Sequence, residues 1–229
     1  MENMKNTTRN YSIYELLAIL FVTTLLISNI VSVKIVSVGW LTFDAGTVLF
    51  PLAYIVGDII TEVYGYRAMR RLIYGGVAML ALTLLTFWTV QLLPASADWP
   101  GQAAFDMTLG VVWRLALGSV VALFVGEVMN AYVMGRMKMA TKQGSRLGLW
   151  ARMISSSAVG SALDTIIFSV IAFAGTMPHD SLAQLIITVF MMKMAVEIVI
   201  SPVTMRLIRW VKQREHIDTF EAPAKYLVN

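Results

Sequence analysis

Six stretches of about twenty mostly apolar residues fill this chain, and each is long enough to cross a bilayer as a helix. They span residues 13–33, 43–64, 72–93, 110–134, 153–175 and 182–208. In hydrocarbon every backbone N–H and C=O must find its partner inside the protein, which leaves helices or closed barrels. Continuous apolar runs of this length specify helices. Only 14% of the 229 residues are charged, against about 25% in a soluble domain. The expected fold class is an all-α integral membrane protein of six transmembrane helices, forming a single domain over residues 1–229. The first run is too long for the h-region of a signal peptide and no small-residue cleavage site follows it, so it reads as a retained helix.

The basic residues orient these spans, because Lys and Arg concentrate in cytoplasmic loops. Lys5 and Arg9 precede the first span, and Arg67, Arg70 and Arg71 lie between the second and third. Arg136, Lys138, Lys142, Arg146 and Arg152 lie between the fourth and fifth. Arg206, Arg209, Lys212, Arg214 and Lys225 follow or end the sixth. The other side carries Lys34 among Asp98, Asp106 and Asp180. Both termini are therefore expected in the cytoplasm, with tails at 1–12 and 211–229, the latter loosely ordered. The net charge of +4 reads as topology markers meeting anionic headgroups, not as a nucleic-acid surface. Membrane lipid is thus an expected partner and nucleic acid is not.

Seven ionisable residues fall inside the spans: Asp58, Glu62, Arg114, Glu127, Asp164, Lys193 and Glu197. Each costs about 2.5–3.5 kcal/mol to insert at mid-bilayer, so each must be compensated or useful. Five are acidic and two basic, so internal pairing cannot neutralise them all. Asp58 and Glu62 are four apart and share a face of the second span, where two carboxylates can hold a proton between them; the structural alternative pairs them with Arg67, Arg70 or Arg71. Lys193 and Glu197, also four apart, can form an intrahelical ion pair or face a watery cavity, beside a helix that Pro202 can kink. Arg114 lies near the outer end of its span, where it can snorkel. Glu127 is deeper. Asp164 has no basic neighbour in its own helix and is the strongest functional candidate. Ser157 and Ser161 fit tight helix packing. Ser28 and Asn29 add a neutral polar pair, and Asn presents both donor and acceptor to a ligand edge.

Other chemistries find no support. There is no Cys, and His179 and His216 fall on opposite sides of the membrane, so no metal site is expected. No phosphate-cradling Gly-rich loop and no G-x-S-x-G elbow occurs, so no enzyme and no cofactor is expected. Gly57-Asp58 in the second span and Gly160 to Asp164 in the fifth, with Asn29 and Asn130 in the first and fourth, form a slight internal match compatible with two inverted three-helix repeats.

Ser28-Asn29, Phe50-Pro51, Tyr54, Gly57-Asp58 and the run Thr61-Glu62-Val63-Tyr64-Gly65-Tyr66-Arg67 resemble the queuosine precursor transporter branch of the vitamin uptake transporter family. Ser157, Gly160, Asp164-Thr165 and Phe168 are similar to the second half of that family. The resemblance covers nearly the whole chain, and the Asp-x-x-x-Glu-x-Tyr-Gly run is its most specific part. It implies import of 7-deazaguanine bases across a bacterial inner membrane for queuosine salvage, and kinship in shape with the substrate-binding subunits of energy-coupling-factor transporters.

The buried residues suit such a ligand. A guanine-like base offers adjacent N–H donors along one edge, which a carboxylate accepts together, and aromatic side chains stack on its flat face. The expected lining is Asn29, Asp58, Glu62, Glu127, Asp164 and Glu197, with Arg114 and Lys193 balancing charge or switching partners. Two rival readings stay open at this stage: a capture subunit for another vitamin-like molecule working with a separate ATPase module, and a small channel or structural protein. A homo-oligomer is equally open.

Overall fold

The computed structural model describes residues 13–38, 41–110, 112–140, 146–175 and 178–220. The elements run α1 (Ile13–Val31), β1 (Ile35–Val38), β2 (Leu41–Asp44), a 3-10 turn (Ala45–Leu49) and α2 (Phe50–Ile59), which ends in a π turn (Ile60–Tyr64). They continue with α3 (Tyr66–Gln91), the short α4 (Gln102–Phe105) with its own π turn (Asp106–Gly110), α5 (Val112–Ala140), α6 (Arg146–Phe173) and α7 (His179–Glu215). Six segments are long and apolar enough to cross a membrane: Ile13–Val31, Ala45–Tyr64, Tyr66–Gln91, Leu117–Ala140, Gly148–Phe173 and His179–Glu215. These coincide with the six apolar runs. The tail expected from residue 211 begins later than that, because α7 continues through Pro202 to Glu215. Lys5, Arg9, Lys142 and Lys225 lie outside the described residues, as do both outermost tail segments.

One element has no counterpart in the apolar pattern. The connection from α1 to α2 folds as an antiparallel hairpin pairing Ile35 with Asp44 and Val36 with Phe43. Its β-branched residues suit a pleated ribbon. The hairpin delivers the 3-10 turn against the end of α1. A side chain at Gly46 would begin 2.5 Å from the Ser28 carbonyl oxygen, so only glycine fits. Ser28 Oγ donates to the Gly46 carbonyl oxygen at 3.1 Å. Ser28 therefore anchors this turn.

α2 is the central helix and joins two apolar clusters. On one side Val56 and Ile60 pack with Phe21 and Leu25 of α1 and Tyr66, Met69 and Ile73 of α3. On the other, Ile59 and Val63 pack with Met134 of α5, Met153 of α6 and Ile208 and Val211 of α7. Between helices in lipid such packing acts through van der Waals contact more than through water release. The π turn closes on Gly65, whose φ of 92° is a conformation glycine adopts without strain. Outward faces carry apolar side chains such as Leu16 and Ile19 of α1, Leu82 and Leu85 of α3 and Val199 of α7.

α5 and α6 run antiparallel and touch at two glycines. A side chain on Gly126 would begin 2.8 Å from Asp164 Cβ, and one on Gly160 would begin 2.8 Å from both the Gly126 carbonyl oxygen and Asn130 Cβ. Glycine pairs of this kind let helix backbones approach. The close approach expected at Ser157 and Ser161 is thus made by Gly160, and Ser161 is left for polar work.

Candidate functional site

The hairpin end of the bundle holds a cavity of about 140 Å³ lined by Phe43, Thr47, Val48, Phe50, Pro51, Tyr54, Met192, Lys193 and Val196. A cavity of about 150 Å³ accommodates a benzene ring, so this one is on the scale of a single flat ring system. Its aromatic wall comes from β2 and the first turn of α2, where Pro51 fits because the first helical N–H groups need no partner. Its polar lining comes from α2 and α7. Tyr54 Oη and Ser161 Oγ share a hydrogen bond of 2.8 Å. Lys193 Nζ lies 4.3 Å from the centre of the Phe50 ring and donates to Asp164 Oδ2 at 2.5 Å.

That last contact revises the expectation for two residues. Lys193 does not pair with Glu197 within α7; it crosses to Asp164 on α6. Asp164 therefore has a basic partner, supplied by another helix. The Lys193 side chain is 4% exposed and that of Asp164 is 29% exposed, so the carboxylate is the more open member of the pair.

One turn further along the bundle lie three acids. Asp58 on α2 is fully buried and Glu197 on α7 is nearly so. Their carboxyl groups face each other. Neither Asp58 oxygen, neither Glu197 oxygen and not Glu127 Oε2 has a hydrogen-bond partner among the described residues. Glu127 Oε2 lies 3.5 Å from where a Gly57 side chain would begin, which places the acid of α5 in ordinary contact range of α2.

Glu62 belongs to a separate layer at the opposite end. Its Oε1 accepts from Arg152 Nη2 at 2.7 Å and from Lys212 Nζ at 2.8 Å, and Lys138 Nζ is 3.9 Å away. Lys138 also donates to the Glu62 carbonyl oxygen. The same lysines hold Asp218, at 2.6 Å from Lys138 and 2.9 Å from Lys212. Lys138 further donates to the Thr219 carbonyl oxygen at 2.7 Å, and the Thr219 N–H donates to the Val63 carbonyl oxygen at 3.0 Å. Residues 217–220 are thereby docked under the bundle, with the Phe220 ring 4.5 Å from Lys138 Nζ. Burial pushes the Asp218 carboxyl up, but the hydrogen bonds and charges of Lys138 and Lys212 outweigh it and hold it below its usual value of 3.8.

Asp58 and Glu62 thus do not act as a carboxylate pair. The π turn adds to the helical turn between them and rotates Glu62 away from the face that Asp58 presents. Nor does Glu62 pair with Arg67, Arg70 or Arg71. Its partners are Lys138, Arg152 and Lys212, which as a linear pattern look like topology markers only. The missed signal was their position at the very ends of spans, within reach of a buried acid at the end of another. Asn29 stands apart from all three layers: its Nδ2 donates to the Leu25 carbonyl oxygen at 2.9 Å, and it borders a shallow crevice with Leu80, Thr83 and Phe87. The side chain of Arg114 lies outside the described residues. Among the described residues no group of three or more His, Cys, Asp or Glu is placed to hold a metal ion.

The family described as "Putative vitamin uptake transporter" matches residues 44–207, which include the layers just described except Phe43, Lys212 and the docked 217–220 segment. The chain belongs to the vitamin uptake transporter family. It is 31% identical over 176 residues to a "Probable queuosine precursor transporter" of Bacillus subtilis, covering 76% of each chain. It is 23% identical to the "Queuosine precursor transporter" of Escherichia coli, covering 75% of this chain and 73% of that one. A "Probable queuosine precursor transporter" of Haemophilus influenzae is 24% identical over 56% of this chain and 51% of its own length. No solved structure matches significantly. Membership and the six apolar helices together support a transporter role in a multi-pass membrane protein.

Proposed function

We propose that this chain imports 7-deazaguanine precursors of queuosine across the bacterial inner membrane, as a single six-span transport domain with both termini in the cytoplasm. The observation that carries the substrate assignment is the aromatic cavity with Lys193 in its lining and Asp164 bound to that lysine. A guanine-like base lies flat against Phe50 and Tyr54, since stacking on aromatic rings is worth about 1–3 kcal/mol per base. Asp164 accepts the adjacent ring N–H and exocyclic N–H₂ donors in a charge-assisted pair. Lys193 turns from Asp164 to the base carbonyl oxygen, and the Tyr54–Ser161 hydrogen bond fixes the wall against which the ring rests. Glu62, Lys138, Arg152 and Lys212 close the far end. The basic ends of the spans support cytoplasmic termini by the positive-inside rule.

The test is queuosine content of tRNA in cells that cannot make the deazaguanine base and are fed it from outside. The chain restores queuosine, and Asp164→Asn loses it while the protein still reaches the membrane. Full restoration by Asp164→Asn would remove Asp164 from the site.

A further inference from the structure

The three central acids are not used by the import reading just given. We propose that the facing carboxyl groups of Asp58 and Glu197 form a proton-carrying site that couples uptake of the base to inward proton movement. The proposal rests on the import reading for its substrate, but the proton site itself stands on geometry.

Both carboxyl groups are buried, Asp58 at 0% and Glu197 at 2% exposure. They face each other, and none of their four oxygens makes a geometrically complete hydrogen bond among the described residues, with the Ser157 hydroxyl as the neutral donor beside Glu197. Isolated buried carboxylates are among the most costly arrangements a protein can hold. Three kinds of counter-charge could relieve them. A metal ion is disfavoured because no three ligating groups among the described residues are placed to hold one. A resident cation is committed elsewhere: Lys193 is bound to Asp164, and Lys138, Arg152 and Lys212 surround Glu62. A proton remains, and it turns two repelling carboxylates into one hydrogen-bonded carboxylic acid and carboxylate unit.

The surroundings of the pair determine what moving that proton does. Glu127 adds its charge from α5, and Glu62 adds a weaker one from the neighbouring layer, where Lys138, Arg152 and Lys212 hold it. From α6 come Asp164, next to Lys193, and the Ser157 hydroxyl beside Glu197. Around the neighbouring Gly57 lie apolar groups of α1 and α3, Phe21 and Met69. Among the described residues a basic side chain lies within a helical turn: Lys193, four residues before Glu197 on α7 and on the same face. With the proton in place, Lys193 stays at the cavity, where it and Asp164 can engage the base. With the proton gone, the Glu197 carboxylate competes for Lys193 and draws it out of the cavity. Proton and base therefore bind together and leave together. One proton enters with one base and is released on the other side, and Lys193 then supplies the positive charge the proton had supplied.

The test uses purified full-length protein in liposomes, with labelled nitrile and aminomethyl 7-deazaguanine bases as probes. An inward proton gradient drives wild-type protein to accumulate the base above equilibrium, and a protonophore abolishes this. Glu197→Gln and Asp58→Asn lose gradient-driven accumulation, so that the internal base falls to its equilibrium level. Accumulation by either variant at the wild-type level, or by wild type without a proton gradient, overturns the proposal. If wild type moves neither base under any gradient, the substrate reading fails instead. The proton site is then judged without substrate: an infrared carboxylic-acid C=O band present in wild type disappears in the Asp58→Asn Glu197→Gln double variant. Persistence of that band in the double variant overturns the proton site.

Discussion

Replacing Glu62 by Gln tests whether the far layer is a closed structural lock. The substitution keeps the shape and removes one charge. Glu62 is fully buried, and its side-chain partners are 7% exposed for Arg152, 5% for Lys138 and 22% for Lys212. Removing one member of a buried ion pair costs about 3–5 kcal/mol, because the surviving charge is left without compensation. Here Asp218 remains bound to Lys138 and Lys212, so the loss is concentrated at Arg152 and falls at the lower end, about 3 kcal/mol. For a chain of this size about 2–4 °C accompanies each kcal/mol, so Tm drops by about 6–12 °C. The protein has six Trp and no Cys, which makes intrinsic fluorescence on heating in detergent the suitable readout. Asp218→Asn is the internal control: its side chain is 41% exposed, and an exposed pair is worth about 1 kcal/mol or less. If the two variants melt together, or if Glu62→Gln melts with wild type, the lock does not depend on the buried carboxylate.

Two further outcomes follow from the packing and the charges. Gly160→Ala places a methyl group 2.8 Å from the Gly126 carbonyl oxygen, a backbone atom that cannot move aside. The expected cost is about 1–3 kcal/mol of stability, read as a lowered Tm, and an unchanged Tm would show that α5 and α6 have room to separate. Asp218 is held below its usual 3.8, so its contribution to docking 217–220 is fully present above that value and lost as pH falls through the lowered one. Amide exchange at Thr219, corrected for intrinsic rate, stays protected down to pH 3.8; loss of protection at higher pH would separate the docking from Asp218.

The membrane helices were legible because length and apolarity are properties of a single segment. The hairpin at Ile35–Asp44 was not, since it is short and its strands look like the frayed ends of two spans. The candidate site was legible as an inventory and opaque as a set of partners. Asp164, Lys193, Asp58, Glu127 and Glu197 stand out by charge alone. Which acid meets which base depends on helix rotation, and the π turn at Ile60–Tyr64 rotates Glu62 by an amount that a four-residue spacing does not encode. The i,i+4 rule offered Glu197 as one partner for Lys193, with a watery cavity as the alternative, whereas Lys193 crosses to Asp164 on α6. Lys138, Arg152 and Lys212 escaped notice because a basic residue at a span end already has an explanation.

The spacing that misled the pairing also organises the layers. α2 carries Tyr54, Asp58 and Glu62 at intervals of four, and α7 carries Lys193, Glu197 and Ser201 at the same interval. Four residues of α-helix rise about 6 Å, so the cavity edge and the central acids are neighbouring layers rather than distant sites. A unit charge about 6 Å away shifts an ion's energy by about 3 kcal/mol at an effective dielectric of about 20. That is about a hundredfold in an equilibrium, enough for one proton on the central pair to decide where Lys193 points. The far layer, by contrast, already holds three cations against Glu62 and Asp218 and is buffered against the same change. Under the proton site proposed above, the charge that moves is therefore felt at the cavity first, and the lock at the other end is released only when the helices carrying Glu62 and Lys212 move.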